Sequence, residues 1–204
     1  MSMTSINLNQ PSMNLHTDHP MFSHHLYQYI NFHLPQDRPI IVLCIGTDRS
    51  TGDSLGPLVG YFLNKKPIRS IQVFGTVDEP VHAKNLKETI DTIYRSNDNP
   101  FVIAIDAALS SMPKVKSVDI GLGSLTPGAA LKKKELKPIG DIYIKGYINI
   151  SGFMEFSILQ NTRLSVVLKM AQQIAQGLSY TDIKLNKPKT FFKTNPTSSF
   201  KANH

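Results

Sequence analysis

Six consecutive apolar residues, Ile40 to Ile45, run into Gly46 and then into a loop dense in Asp, Ser, Thr and Gly, which opens a second apolar segment at Leu55. A continuous apolar run of that length, bounded by turn residues, reads as a strand buried on both faces, and the segment from Leu55 reads as a helix. The pattern then recurs. Ile71 to Gly75 predicts a second strand, ending in the polar Thr76-Val77-Asp78-Glu79-Pro80. Val81 to Ser96 carries helical spacing through Leu86, Ile90, Ile93 and Tyr94. Pro100 to Ile105 is a third apolar run, closing on Asp106. Strand, helix, strand, helix, strand at this spacing implies a parallel sheet with right-handed crossovers. Parallel strands end on the same edge, so Asp53, the Asp78/Glu79 pair and Asp106 should share it, where open α/β sheets place their chemistry.

The flanking segments are less constrained. Residues Met1 to Thr17 are polar and without period, and read as disordered. Asp18 is placed to cap a helix from about Pro20 to His33, with Phe22, Leu26, Tyr29 and Ile30 on one face. Downstream, Val115 to Ile120 reads as a fourth strand, antiparallel or at an edge, because so little chain precedes it. A loop through Thr126-Pro127-Gly128 and the lysine cluster leads to a fifth strand, Asp141 to Ile150. Glu155 to Gly177 predicts one long helix with Gly177 as its stop, and the tail from residue 181 reads as flexible and basic. The core domain is thus residues 18–180.

At 204 residues with 41% hydrophobic content, the chain suits one domain with a sizeable core. No apolar run reaches the ~20 residues of a membrane span, and no secretory leader pattern is present, so a cytoplasmic protein is expected. The lone Cys44 lies inside the first strand and reads as a buried, inert thiol. The net charge of +7 resides in two places, the tail from Thr181 (five Lys, one Asp) and Lys132 to Lys137 (four Lys, one Glu). A basic tail and one lysine loop without interleaved aromatics read as solvated surface rather than a nucleic-acid footprint.

Asp53 precedes a helix and suits an N-cap, and Asp106 suits a turn. Brought into one cleft, however, two carboxylates cannot both ionise cheaply, so one holds a proton while the other activates water. That pairing suits peptide-bond hydrolysis. A competing use of Asp48, Asp53, Asp78, Glu79 and Asp106 is to bind a hard cation, with His82 the only histidine in the ordered loops and otherwise a first-turn helix residue. Five of the seven histidines, His16, His19, His24, His25 and His33, cluster on the first helix and its approach and read as solvated. The loop Gly46 to Gly52 carries acidic residues and no Gly-Lys-Ser/Thr ending, which excludes a P-loop or dinucleotide fingerprint. No Gly-x-Ser-x-Gly elbow is present either.

The string Cys44-Ile45-Gly46-Thr47-Asp48-Arg49-Ser50-Thr51-Gly52-Asp53-Ser54-Leu55-Gly56-Pro57 resembles the signature of the YyaC family of sporulation proteins. Asp78-Glu79-Pro80-Val81-His82-Ala83, Ile105-Asp106-Ala107, Thr126-Pro127-Gly128 and Asn149-Ile150-Ser151-Gly152-Phe153-Met154 match the same family. That family is similar to the spore germination protease, an atypical aspartic peptidase, and more distantly to hydrogenase maturation proteases. The resemblance implies a three-layer α/β sandwich, with a mostly parallel central sheet and helices on both faces. It also implies that Asp53 and Asp106 match the two essential aspartates of the germination protease. In the hydrogenase proteases, acidic residues at these places bind nickel with a later histidine. Here no histidine stands between His82 and His204, so no metal or other cofactor is expected.

The resulting expectation is a spore-associated endopeptidase with Asp53 and Asp106 catalytic and Asp48, Asp78, Glu79 and His82 shaping the substrate cleft. Its partners would be protein or peptide substrates such as small acid-soluble spore proteins, in the mother cell, forespore or spore core. The lysine loop would draw in an acidic peptide, and a homo-oligomer is left open. The alternatives are a non-catalytic regulatory protein on the same fold, or a metal-binding peptidase of the maturation type.

Overall fold

The computed structural model describes residues 6–127 and 138–186. The lysine cluster at 132–137, Gly128 of the Thr-Pro-Gly motif and the tail from 187 lie outside the described residues. The parallel half of the sheet comprises β2 (Ile40–Cys44), β3 (Ile71–Phe74), β4 (Phe101–Ser110) and β6 (Ile142–Ile150). With β1 (Ser12–His16) and β5 (Ser117–Leu122) they form one six-stranded sheet in the order β1-β5-β6-β4-β2-β3. The β3–β2, β2–β4 and β4–β6 pairs are parallel, whereas β5 is antiparallel to both β6 and β1.

The two faces are separated by the strand period. In β2, Ile40, Val42 and Cys44 point to a core shared with α1 (Phe22–His33), α2 (Leu55–Asn64) and α5 (Leu164–Leu185). Ile41 and Leu43 point the other way, toward Leu86 and Ile93 of α3 (Leu86–Ser96). All five β2 residues are buried, which is why the run carries no polar alternation. The result is a three-layer α/β sandwich with a mostly parallel sheet and helices on both faces. No helix among the described residues is long and apolar enough to cross a membrane.

Several expectations need correction. Residues 12–16, read as part of a disordered end, form β1 on the outer side of β5. Its apolar signal is two residues only, Leu15 buried and Met13 partly buried against the same core, within an otherwise polar segment. Strand β5 is antiparallel, one of the two arrangements expected, and internal rather than at an edge. Asp18 caps nothing: α1 begins after Met21 without a side-chain cap, and Asp18 pairs with Lys169. His25, grouped with the solvated histidines, lies on the buried face of α1. Helix α3 starts at Leu86, so His82 lies in the turn before it rather than in its first turn.

The predicted helix from Glu155 to Gly177 is two helices, α4 (Glu155–Gln160) and α5. The break falls where side chains take over backbone acceptors: Asn161 donates to the Ser157 carbonyl (2.8 Å) and Thr162 to that of Ile158 (2.9 Å). Gly177 does not end α5, which continues to Leu185 into the segment assigned to the tail. A Cβ there would lie 2.7 Å from Leu26 Cδ2 and 2.9 Å from the Ser23 carbonyl oxygen, so this glycine lets α1 and α5 approach.

Candidate functional site

The loop leaving β2 is built around Gly46, whose φ of +144° is open to glycine. A Cβ at Gly46 would sit 2.0 Å from the Asp53 carbonyl oxygen. That same oxygen accepts the Thr47 N–H at 3.0 Å, so the loop closes on itself at the sheet edge. Gly52 to Ser54 form a single 3-10 turn that leads directly into α2 and packs against β4, α4 and α5. Asp53 is therefore half-buried on that turn, whose backbone closes on Thr47. Ser50 is nine-tenths buried beneath the loop, and its Oγ has no hydrogen-bond partner among the described residues.

Asp106 comes from the neighbouring strand. β2 ends in the pairing of Cys44 with Ile105, so Asp106 stands one position beyond it. Strand β4 does not stop there, as the apolar run suggested. It continues to Ser110 because β6 pairs with it throughout, across a register shift after Ala108. Asp106 is 6% exposed, and its Oδ1 accepts the Ala107 N–H at 2.9 Å. The sheet order thus puts the Asp53 turn and Asp106 on adjacent strands at one edge.

The other nominated residues divide. Asp48 is exposed on the β2 loop. Asp78, Glu79 and His82 instead line a groove of about 720 Å³ at the β3 side, with Asn64 of α2 and Asn85 and Thr89 near α3. Asp53 and Asp106 are not among the residues lining it. The 76–82 turn is tied by Thr76 N–H to the Glu79 carbonyl (3.0 Å), by Glu79 N–H to Thr76 Oγ1 (3.0 Å) and by His82 N–H to Asn85 Oδ1 (2.8 Å). Cys44 is fully buried, and burial pushes its thiol up, which leaves it protonated and inert.

The sequence reading assigned no role to the β6 exit, yet α4 packs against the Asp53 turn. Asn149 reaches Thr162 Oγ1 (3.2 Å) and its Oδ1 accepts the Ile150 N–H (2.9 Å). Beyond it, Phe153 and Met154 are exposed, Met154 in a left-handed conformation at φ 64°. Two large apolar residues directly after Ser151-Gly152, outside any helical period, were the available signal.

Among the described residues, no group of three or more His, Cys, Asp or Glu side chains is placed to hold a metal ion.

A family described as "Protein of unknown function (DUF1256)" matches residues 14–177. The chain belongs to this family. YyaC of Bacillus subtilis (strain 168), an uncharacterized protein, is 53% identical over 145 residues, covering 71% of this chain and 70% of YyaC. The DUF1256 match spans both the Asp53 loop and Asp106. Among solved structures, the NiFe hydrogenase maturation protease HycI from Thermococcus kodakarensis KOD1 gives a TM-score of 0.48 at 16% identity, covering 71% of this chain and 92% of that one.

Proposed function

We propose that this DUF1256 protein is an endopeptidase that hydrolyses peptide bonds with Asp53 and Asp106 as its carboxylate pair. The observation that carries the reading is the placement of the two aspartates. One is on a backbone-locked turn and the other is buried on the next parallel strand, both at the carboxyl edge of the sheet. In that arrangement one carboxyl holds a proton and polarises the scissile carbonyl. The other, ionised, takes a proton from the attacking water, and the first then protonates the leaving amine.

Asp48, Asp78, Glu79 and His82 belong to the approach to this pair rather than to the chemistry. We further propose, from the resemblance carried by residues 44–57, that the substrates are small acid-soluble spore proteins and the mechanism is aspartic, of the germination-protease type. Incubating the purified chain with those proteins and mapping fragments by mass spectrometry tests this. Defined fragments from wild type, and none from Asp53→Asn or Asp106→Asn variants that still fold, are the expected result. Intact substrate bound without fragments would favour a regulatory role on the same fold.

A further inference from the structure

The carboxyl edge is chemically different on its two sides. On the β3 side the groove lining holds Asp78 and Glu79 and no lysine or arginine. Both carboxylates are exposed, and neither joins an ion pair among the described residues. β3 is also the end strand of the sheet, with one side of its backbone unpaired by any strand among the described residues. On the β6 side the surface is nearly uncharged, with exposed apolar side chains beside a depression lined by Asn149, Ser151, Ser157 and Asn161. Phe153 is 101% exposed, Met154 75%, Phe156 60% and Ile150 37%, and Glu155 is the single charge between Lys145 and Arg163. Exposed aromatic and thioether side chains concentrated in one short segment mark an interaction surface. This one is continuous with the candidate site, since α4 packs on the turn carrying Asp53.

We propose that the protein selects an extended polypeptide with a basic residue on one side of the scissile bond and bulky apolar residues on the other. The basic residue sits in the Asp78/Glu79 groove and the apolar residues rest on Ile150, Phe153, Met154 and Phe156. The strand order dictates the spacing. From β3 to β6 is three strand steps, with the Asp53 loop and Asp106 between them. At ~4.8 Å per step the span is about 14 Å, which an extended chain covers with about four residues. Charge complementarity names the occupant at one end, and the absence of charge names it at the other. This specificity rests on the peptidase reading for its cutting step, but binding stands apart from it.

The test uses the full chain carrying Asp106→Asn for binding and the wild-type chain for cleavage. The probes are fluorescein-labelled Lys-Arg-Ala-Ser-Ala-Leu-Phe and its reversed order, a version with Glu-Glu for Lys-Arg, and a version with Ser-Ser for Leu-Phe. One basic-apolar order should bind about ten-fold tighter than both altered peptides, by fluorescence anisotropy. Asp78→Lys with Glu79→Lys should shift preference to the Glu-Glu peptide. Phe153→Ser with Met154→Ser should erase the advantage of Leu-Phe while keeping that of Lys-Arg. All four peptides binding within two-fold of one another, or charge reversal in the groove leaving the preference unchanged, would overturn the inference. Wild type cutting all the peptides alike would overturn it too while leaving the peptidase reading intact. Selective binding without any cut would support the docking and remove the peptidase.

Discussion

At the amino edge of the sheet, two carboxylates, Asp182 and Asp141, hold backbone. Asp182 on α5, 1% exposed, accepts the N–H groups of Arg69, Ser70 and Ile71 at 2.7 to 3.2 Å and an amide proton of Asn186. Asp141 accepts the Val102 N–H at 2.9 Å with one oxygen and the Arg38 guanidinium at 3.0 Å with the other. At the carboxyl edge, Asp106 is buried as well, but Asp48, Asp78 and Glu79 stand in solvent, and the loops rather than the carboxylates supply the closures. Acidic residues at one edge stitch strand starts to the helices and loops beneath them. At the other, Asp48, Asp78 and Glu79 stand exposed on loops closed by backbone and hydroxyl groups. The difference separates two carboxylates that hold backbone from three that stand exposed.

The largest effect on this contrast is expected at Asp182. Asp182→Ala strands three backbone donors at the entry to β3 and should cost about 4 kcal/mol of folding stability, measured by denaturant unfolding. A loss under ~1 kcal/mol would mean that the amino edge is no more dependent on its carboxylates than the other. Next comes Asp141→Asn, which keeps an acceptor for Val102 but gives up the half-exposed ion pair with Arg38, and should cost about 1 kcal/mol. Asp78→Asn and Glu79→Gln should each change stability by less than ~0.5 kcal/mol, because neither holds backbone through its side chain.

The smallest expected effect is a pH dependence away from both edges. Burial, with His19 and His24 alongside, lowers the His25 pKa below its ordinary 6.5. The unfolded chain then binds the proton more readily, so this contribution is complete above 6.5 and is lost as pH falls toward the folded-state value. Thermal unfolding of wild type should lose stability between neutral and mildly acidic pH, and His25→Gln should flatten that slope. An unchanged slope would place the dependence elsewhere.

The central fold was legible because its strands are buried on both faces. Ile40 to Ile45 and Phe101 to Ile105 leave no polar residue to confuse period with composition. Strand β1 was not, since an outer strand with only Met13 and Leu15 on the core looks like any polar segment. Gly177 misled because a glycine that admits a neighbouring helix is identical in sequence to one that ends its own. Asp53 and Asp106 could be nominated from their positions after apolar runs. What brings them together is the adjacency of β2 and β4, a long-range pairing that no local pattern encodes. The same holds for the apolar rim: Phe153 and Met154 acquire meaning only from α4 lying on the Asp53 turn.

The central proposal is that Asp53 and Asp106 serve chemistry while Asp141 and Asp182 serve stability. Asp106→Asn tests it most directly, because asparagine keeps the shape and still accepts the Ala107 N–H. Cleavage rate and denaturant unfolding should be measured on the same preparation. We expect cleavage down by at least ~100-fold with stability within ~1 kcal/mol of wild type. A variant that cuts at the wild-type rate would contradict the claim.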